Sequence, residues 1–251
     1  MTAHHQYHKS PLVEAVLDIR VSASPDGMAD RLAAVWDAER ERYPTRLNRY
    51  EVETPIQFVI EDGDSSQPPD KRTWIGYRCA SADGKRLFHA QTNGFAYNRL
   101  ASYTGWIDFQ EEARRLWKAY VEFVRPEVIT RVALRYINRF DLAVDTEFSD
   151  FFRTYPEVSK DLPQGLIGMG MYLVIPQVDI EATLVLNQSM LPPQENQVIP
   201  IILDLDLFQL FQTERMSPES DRLWESVARL HDRQYDIFEA CITDRAREFI
   251  D

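Results

Sequence analysis

The sequence predicts an α+β fold whose strands form one curved antiparallel sheet with helices on one face, in a saddle-like arrangement. Most segments alternate apolar and polar residues with the period of a strand, which is the first observation behind this prediction. The second is that the order strand, helix, several strands, long helix occurs twice, over residues of about 11–126 and 127–251. Both long helices also contain Arg-Leu-Trp. The alternative is a helix-grip sheet around one long C-terminal helix.

The composition is typical of a single compact globular unit. Hydrophobic residues make up 44% of the 251 residues and charged residues 27%, and no long linker separates the two halves. Forty acidic residues against 28 basic ones give a net charge of −12, which repels nucleic acid and anionic membranes. The N-terminus lacks a signal-peptide pattern and no apolar run reaches the length of a membrane span, so we expect a cytoplasmic protein.

The first half begins with a strand over residues 12–21, in which Glu14, Asp18 and Arg20 alternate with an apolar face. A helix follows from Met28 and ends before Pro44. Strands are expected over residues 49–61, 73–82 and 86–100, with a polar connection over 61–71 and a hairpin at Asp83-Gly84. The helix over 105–125 has the clearest three-and-four spacing, and Pro126 ends it.

The second half repeats this order with different lengths. A strand over residues 128–142 comes first, and a short helix over 148–160 follows. One or two strands lie within 166–188, with a break near Pro176, and another strand covers 198–212. The chain ends in a long helix over 217–250, whose apolar residues recur at helical spacing.

The strand over residues 128–142 carries the most informative polar pattern. Arg131, Arg135, Arg139 and Asp141 share one face, opposite an apolar face. Arginines four positions apart on a strand are separated by about 13 Å, so the three cannot all hold one phosphate. Two neighbours could bracket an extended anion such as a nucleotide.

Two interpretations of these arginines compete. If the halves meet at their first strands, the face with Glu14, Asp18 and Arg20 lies beside the arginine row, and cross-strand pairs of opposite charge contribute roughly 0.2–1 kcal/mol each. Alternatively the arginine forks bind a small anion or an acidic segment of a partner. We favour structural pairing, without excluding a ligand on the same face. Tyr97 and Arg99 share a strand face and are expected to extend this surface.

Other candidate sites have weaker patterns. Asp204 and Asp206 could hold a divalent cation, but two carboxylates on a strand without a third ligand are more often solvated. The N-terminal histidines lie in a polar leader, for which we expect no metal site. The two cysteines have no zinc-binding or disulfide framework spacing. Because the chain also lacks nucleotide-binding glycine loops and a nucleophile elbow, we expect no cofactor, no metal and no catalytic residues.

Four ordered segments match a pattern seen in other proteins. They read PLVEAVLDIR at residues 11–20, GFAYNRL at 94–100, RVALRYINRF at 131–140 and LHDRQYDIFEACIT at 230–243. Together they resemble the signature blocks of a sporadically distributed family of prokaryotic proteins without an established biochemical activity. The resemblance spans nearly the whole chain. It implies an accessory gene, such as one in a defence or toxin–antitoxin module, and it implies no catalytic residues.

The absence of a catalytic pattern favours a non-enzymatic binding or regulatory protein. We expect a protein partner. The acidity of this chain would suit the capture of a basic one. A small anionic ligand and a homodimer remain open. The alternative is an enzyme or sensor for a phosphorylated or nucleotide ligand clamped by the strand arginines. The candidate ligand-binding residues are Arg131, Arg135, Arg139, Glu14, Asp18, Arg20, Tyr97 and Arg99.

Overall fold

The computed structural model describes residues 5, 7–53, 71–100, 105–159, 161–162, 166–192, 198–211 and 215–251. The strands are β1 (Leu12–Ser22), β2 (Thr45–Glu53), β3 (Lys71–Ala80), β4 (Arg86–Gln91), β5 (Gly94–Leu100), β6 (Val128–Ala143), β7 (Gly170–Gln177), β8 (Ala182–Met190) and β9 (Val198–Leu210). The helices are α1 (Met28–Glu39), α2 (Trp106–Val124), α3 (Phe148–Phe151), α4 (Asp221–Cys241) and α5 (Asp244–Ile250).

All of these strands belong to one curved antiparallel sheet, in the order β2-β3-β4-β5-β1-β6-β9-β8-β7. β1 pairs with β6, so the first strands of the two halves lie side by side in the middle of the sheet. From this boundary each half adds its remaining strands outward, starting with its last strand. The predicted α+β fold with a single curved sheet is confirmed, whereas duplication of an ancestral half stays a prediction.

The helices cover one face of the sheet and enclose a core that continues across the boundary between the halves. Leu17 of β1 and Leu230 of α4 are both fully buried in it. Gln234 of α4 is also fully buried, and its amide nitrogen donates to the carbonyl oxygens of Leu134 and Leu205, at 2.7 and 2.8 Å. These two bonds satisfy the amide NH2 group of Gln234, which burial would otherwise penalise. They fix α4 against the strands β6 and β9.

The segment over residues 86–100 differs from the single strand expected there. It is a hairpin, because Gln91 of β4 pairs directly with Gly94 of β5 across a turn at Thr92 and Asn93. Apolar residues continue on both sides of the turn, so the alternation does not reveal it. The hairpin expected at Asp83-Gly84 is confirmed, with Gly84 at a φ of 68°.

The expected C-terminal helix is two helices, and the break has a clear cause. Ile242 is extended and fully buried, and it pairs with Phe152 in an isolated β-bridge. Thr243 then caps α5, since its side chain accepts a hydrogen bond from the backbone nitrogen of Ala246 at 3.2 Å. In the 166–188 segment the break expected near Pro176 is a short 3₁₀ turn at Val178–Ile180, between β7 and β8.

The polar leader packs against the C-terminal helices. Tyr7 donates to a carboxylate oxygen of Glu239 at 2.6 Å, and a ring nitrogen of His8 lies 3.3 Å from a carboxylate oxygen of Asp251. The expected connection over residues 61–70, and the strand expected over 54–61, lie outside the described residues. Among the helices described, none combines the length and the apolar composition that crossing a membrane requires.

Candidate functional site

The face of the sheet opposite the helices, called the open face below, carries charged side chains along its central strands. Directly paired residues of neighbouring strands point to the same side of a sheet, so the strand register brings these groups together. β1 contributes Glu14, Asp18 and Arg20, β6 contributes Arg131, Arg135, Arg139 and Asp141, and β9 contributes Asp204 and Asp206.

Arg131 lies at the centre of the open face and connects three strands. Its Nη1 donates to Asp18 of β1 and its Nη2 donates to Asp206 of β9, both at 2.9 Å. The guanidinium also lies over the ring of Phe208, 4.6 Å from the ring centroid. Burial raises the pKa of Asp206, although Arg131 and Arg135 act in the opposite direction. The expected pairing of a β1 carboxylate with a β6 arginine is confirmed at this position.

Arg135 is held by a carboxylate of β9. Its Nε and Nη2 donate to the two oxygens of Asp204, at 2.7 and 2.6 Å, and this bidentate contact raises the pKa of Arg135. The side chain of Asp204 is only 8% exposed, so the expectation that it is solvated is wrong. The reason is that β9 lies inside the sheet, where Asn187 of β8 also approaches the carboxylate, at 3.4 Å.

The remaining charges of the central strands are also paired within the protein. Arg139 donates from Nε to Asp141 of its own strand at 2.8 Å. Glu14 accepts a hydrogen bond from the side chain of Asn98 on β5 at 2.7 Å. Each of the three β6 arginines therefore has a carboxylate partner, and the structural interpretation accounts for the whole row. A ligand-binding role for these residues stays a prediction.

Tyr97 and Arg99 do not extend the open face, so this prediction is wrong. The register pairs Tyr97 with Leu17 and Arg99 with Ala15, and both partners are fully buried on the helix side. The turn that separates β4 from β5 fixes which residues of β5 face each way. Those on the open face are Gly94, Ala96, Asn98 and Leu100.

Tyr97 and Arg99 instead line a cavity of about 480 Å³ beside the start of α2. Burial and the nearby Glu112 raise the pKa of Tyr97 to about 12, so its phenol stays protonated at neutral pH. Glu112 accepts hydrogen bonds from Tyr43 at 2.8 Å and from Arg115 at 2.8 and 3.0 Å. Glu112 and Arg115, which both line the cavity, therefore already bind one another.

The sequence predicted Arg20 as a site residue but not the two other cations that lie near it on the open face. Arg20 of β1, Arg49 of β2 and Arg78 of β3, called the basic cluster below, surround His89 of β4. Arg78 is directly opposite His89 in the register, and Arg49 donates a hydrogen bond to Nδ1 of His89. Arg20 lies on the other side of His89 and contributes to lowering its pKa, and its Nη1 donates to Asn93 in the β4–β5 turn at 3.1 Å.

Two glycines make this convergence possible. Gly76 lies directly opposite Arg49, so the arginine side chain crosses β3 unobstructed and reaches β4. A Cβ at Gly76 would stand 2.1 Å from the carbonyl oxygen of Ala90, and its φ of 136° also favours glycine. Gly94 lies directly opposite Arg20 in the same way. Gln91 of β4, which pairs directly with both glycines, lies between them on this face.

His89 is a neutral group within this cluster. Burial lowers its pKa to about 3, and Arg49, Arg78 and Arg20 contribute to the shift. Because Nδ1 accepts from Arg49, the ring proton lies on Nε2, which is buried and has no hydrogen-bond partner. Asp18 is the one carboxylate of the described residues that offsets the charge of Arg49, and it is already bonded to Arg20 and Arg131.

The second half of the open face is apolar toward its outer edge. Tyr172, Val174 and Leu210 are 65%, 55% and 53% exposed, and Val185 lies directly opposite Val174. With Phe208, which pairs with Thr183 of β8, these residues form what is called the apolar patch below. The open face therefore has an apolar end, a central row of paired charges and a basic end.

No protein-family model matches the sequence, and no curated protein matches it either. The resemblance of the four signature segments therefore stays a prediction. In the described part of the chain, no three histidine, cysteine, aspartate or glutamate side chains are grouped so that they could hold a metal ion. The strongest chemical features of the described surface are the basic cluster and the apolar patch.

Proposed function

We propose that the protein is a non-enzymatic binding protein that takes up a protein partner on its open face. The observation that carries this proposal is the apolar patch, which no described helix covers. Exposed apolar side chains that adjoin one another are costly in water and mark contact surfaces more often than isolated ones do. The partner would place apolar side chains on Tyr172, Val174 and Leu210.

The charges of the open face bear on the chemistry of this partner. The central strands and the basic cluster together present six arginines and five carboxylates, whereas the whole chain has 28 basic and 40 acidic residues. These charged groups of the open face thus have no acidic excess, although the whole chain has one. A strongly basic partner is therefore not the best match for this face. Rows of paired charge at the rim of an apolar contact support specificity and orientation more than affinity.

Affinity isolation from native extract tests the proposal, followed by reconstitution with the purified partner. The informative variant is Val174→Glu, because this exposed side chain belongs to the apolar patch. Ile107→Glu is the matched control, since Ile107 is 65% exposed on α2, on the other side of the molecule. We expect a stoichiometric partner that the control variant retains and the Val174→Glu variant loses. Equal retention by both variants, or turnover of a small molecule without any partner, contradicts the proposal.

The resemblance to an accessory family adds a context for this role. A partner encoded in a neighbouring gene of a defence or toxin–antitoxin module would agree with it. The second candidate function is an enzyme or sensor for a phosphorylated ligand. The β6 arginines give it little support because each is paired with a carboxylate, and the observation in its favour is the basic cluster.

A further inference from the structure

The first half of the open face holds more positive charge than its neighbours neutralise. Arg49 and Arg78 have no ion pair among the described residues, and the Asp18 carboxylate is shared between Arg20 and Arg131. Burial lowers the pKa of Arg49, and Arg20 and Arg78 add to this effect. Like charges held together on half-buried strand positions destabilise the sheet unless an anion joins them.

The charged groups around His89 are hydrogen-bond donors except for Asp18, and the nearby Gln91 amide adds both a donor and an acceptor. Three guanidiniums converge there, and the Nε2–H of His89 is a buried donor without a partner. Native structures leave such a group unsatisfied only rarely, and usually where an ion, a water or a ligand completes it. A site made of donors, with one carboxylate already in use, matches a ligand that offers only acceptor oxygens.

The shape of the region agrees with its charge. Neighbouring strands are about 4.8 Å apart, and β5, which lies between His89 and Arg20, presents Gly94 on this face. Ala96, which lies directly opposite His89, adds only a methyl group. A tetrahedral group can therefore approach Arg20 and His89 over Gly94 and Ala96 of β5.

We propose that Arg20, Arg49 and Arg78 form an oxyanion site for the phosphoryl group of a small-molecule ligand. A phosphoryl dianion supplies several acceptor oxygens and enough negative charge for three guanidiniums, whereas a carboxylate supplies two oxygens and a single charge. The site is distinct from the apolar patch and lies at the other end of the open face. Partner capture and phosphoryl binding can therefore fail independently.

Isothermal titration in a low-chloride buffer, at constant ionic strength, tests the proposal. The probes are inorganic phosphate, pyrophosphate, AMP and ATP, with acetate as the carboxylate comparison. The variants are Arg49→Gln and Arg78→Gln, and the control is Arg139→Gln, which removes an arginine from the same face at a position paired with Asp141. We expect binding of at least one phosphoryl probe, weakened about tenfold to a hundredfold by either cluster variant and unchanged in the control.

The pattern across the probes separates the sources of the phosphoryl group. Binding of inorganic phosphate alone identifies the free ion, whereas preference for AMP or ATP identifies a nucleotide. No binding of any phosphoryl probe overturns the proposal, as does equal binding of acetate or an equal loss in the control variant. Affinity isolation with the Arg78→Gln protein then shows whether partner binding is independent of phosphoryl binding.

A second measurement covers the case in which a cluster variant does not fold. The histidine ring signals of the unmodified protein are followed by NMR as pH falls, with and without pyrophosphate. A bound anion offsets Arg49 (β2), Arg78 (β3) and Arg20 (β1), whose charges lower the pKa of His89, while Asp18 of β1 is the carboxylate on the same row of the face. We therefore expect the His89 titration to move to higher pH when pyrophosphate is present. An unchanged titration contradicts the site.

Discussion

At the scale of single residues, Asp204 and Asp141 make the same kind of contact in different surroundings. Each carboxylate accepts from a β6 arginine, but the side chain of Asp204 is 8% exposed and that of Asp141 is 51% exposed. Water screens the outer pair, whereas the inner carboxylate depends on its arginine and on Asn187. The strength of an ion pair in this sheet is therefore expected to depend on how deeply its carboxylate is buried.

The first prediction compares these two carboxylates. Asp204→Asn should lower the free energy of unfolding by about 1–3 kcal/mol, because it removes a bidentate charged contact from a buried position. Asp141→Asn should change it by less than about 0.5 kcal/mol. Urea unfolding at neutral pH measures both. Similar losses in the two variants would mean that burial does not decide the strength of these pairs.

The second prediction concerns His89 and pH. The folded protein holds its pKa at about 3, whereas an unfolded chain has a histidine pKa of about 6.5. Below the higher value the unfolded chain gains a proton that the folded chain does not, so stability falls by up to about 1.4 kcal/mol for each pH unit lost. Unfolding of the unmodified protein and of His89→Gln, measured between pH 7 and pH 4.5 in phosphate-free buffer, should diverge as pH falls. Parallel profiles would refute the shift.

Much of the residue-level pattern was predictable, but the partners were not. Alternation alone placed Arg131, Arg135 and Arg139 on one face of a strand. It could not show that Asp204 and Asp206 lie on the next strand, because strand order is not written in a local pattern. The basic cluster was missed for the same reason, since Arg49, Arg78 and Arg20 meet only through the order of strands β2 to β1.

At the scale of elements, β3 depends on a residue that has no side chain. Gly76 combines a positive φ with close approach to the backbone of β4, and it also lets Arg49 cross to His89. Gly84, in the β3–β4 turn, has a φ of 68° but open space around its Cα. Gly84 is therefore required only by its backbone conformation, whereas Gly76 is required both by its conformation and by the lack of space for a Cβ atom.

The third prediction follows from this difference. Gly84→Ala should cost about 1 kcal/mol, because an L residue is strained at positive φ but meets no neighbour. Gly76→Ala should cost more than about 3 kcal/mol or prevent folding, because the added Cβ would collide with the Ala90 carbonyl. Denaturation midpoints and soluble yield measure both. If Gly76→Ala costs no more than Gly84→Ala, β3 and β4 do not approach as closely as described.

Some ends of helices and strands cannot be predicted from the periodicity of apolar residues. The helix α2 was predicted almost to the residue because Gly105 and Pro126 bound a regular apolar stripe. The β4–β5 turn and the break after α4 were missed because apolar residues continue through both. At Ile242 it is the contact with Phe152, distant in sequence, that interrupts the helix.

At the scale of the whole molecule, the repeated order of elements predicted that the first strands would meet, and β1 does pair with β6. Each half alone would leave its first strand as an exposed edge. The apolar core also continues across this boundary, under α4. Without the other half, each half would therefore have an incomplete core and an additional unpaired strand edge.

The fourth prediction is that both halves unfold together. A single urea transition should be seen, and amide protons of β4 and β8 should lose protection from hydrogen exchange at the same urea concentration. The physical reason is that one continuous core and one hydrogen-bonded sheet join these strands. Loss of protection in β8 well before β4, or the reverse, would show two independent units.

Asp18 adds an electrostatic contact to the backbone pairing that joins the two halves. By chain order it belongs to the first half, but it accepts hydrogen bonds from Arg20 on its own strand and from Arg131 across the boundary. Asp18 is thus a counterion shared by Arg20 and Arg131. If the proposed anion draws Arg20 away, this carboxylate is left to Arg131 alone, so occupancy of the basic end would change the charge balance at the centre of the open face.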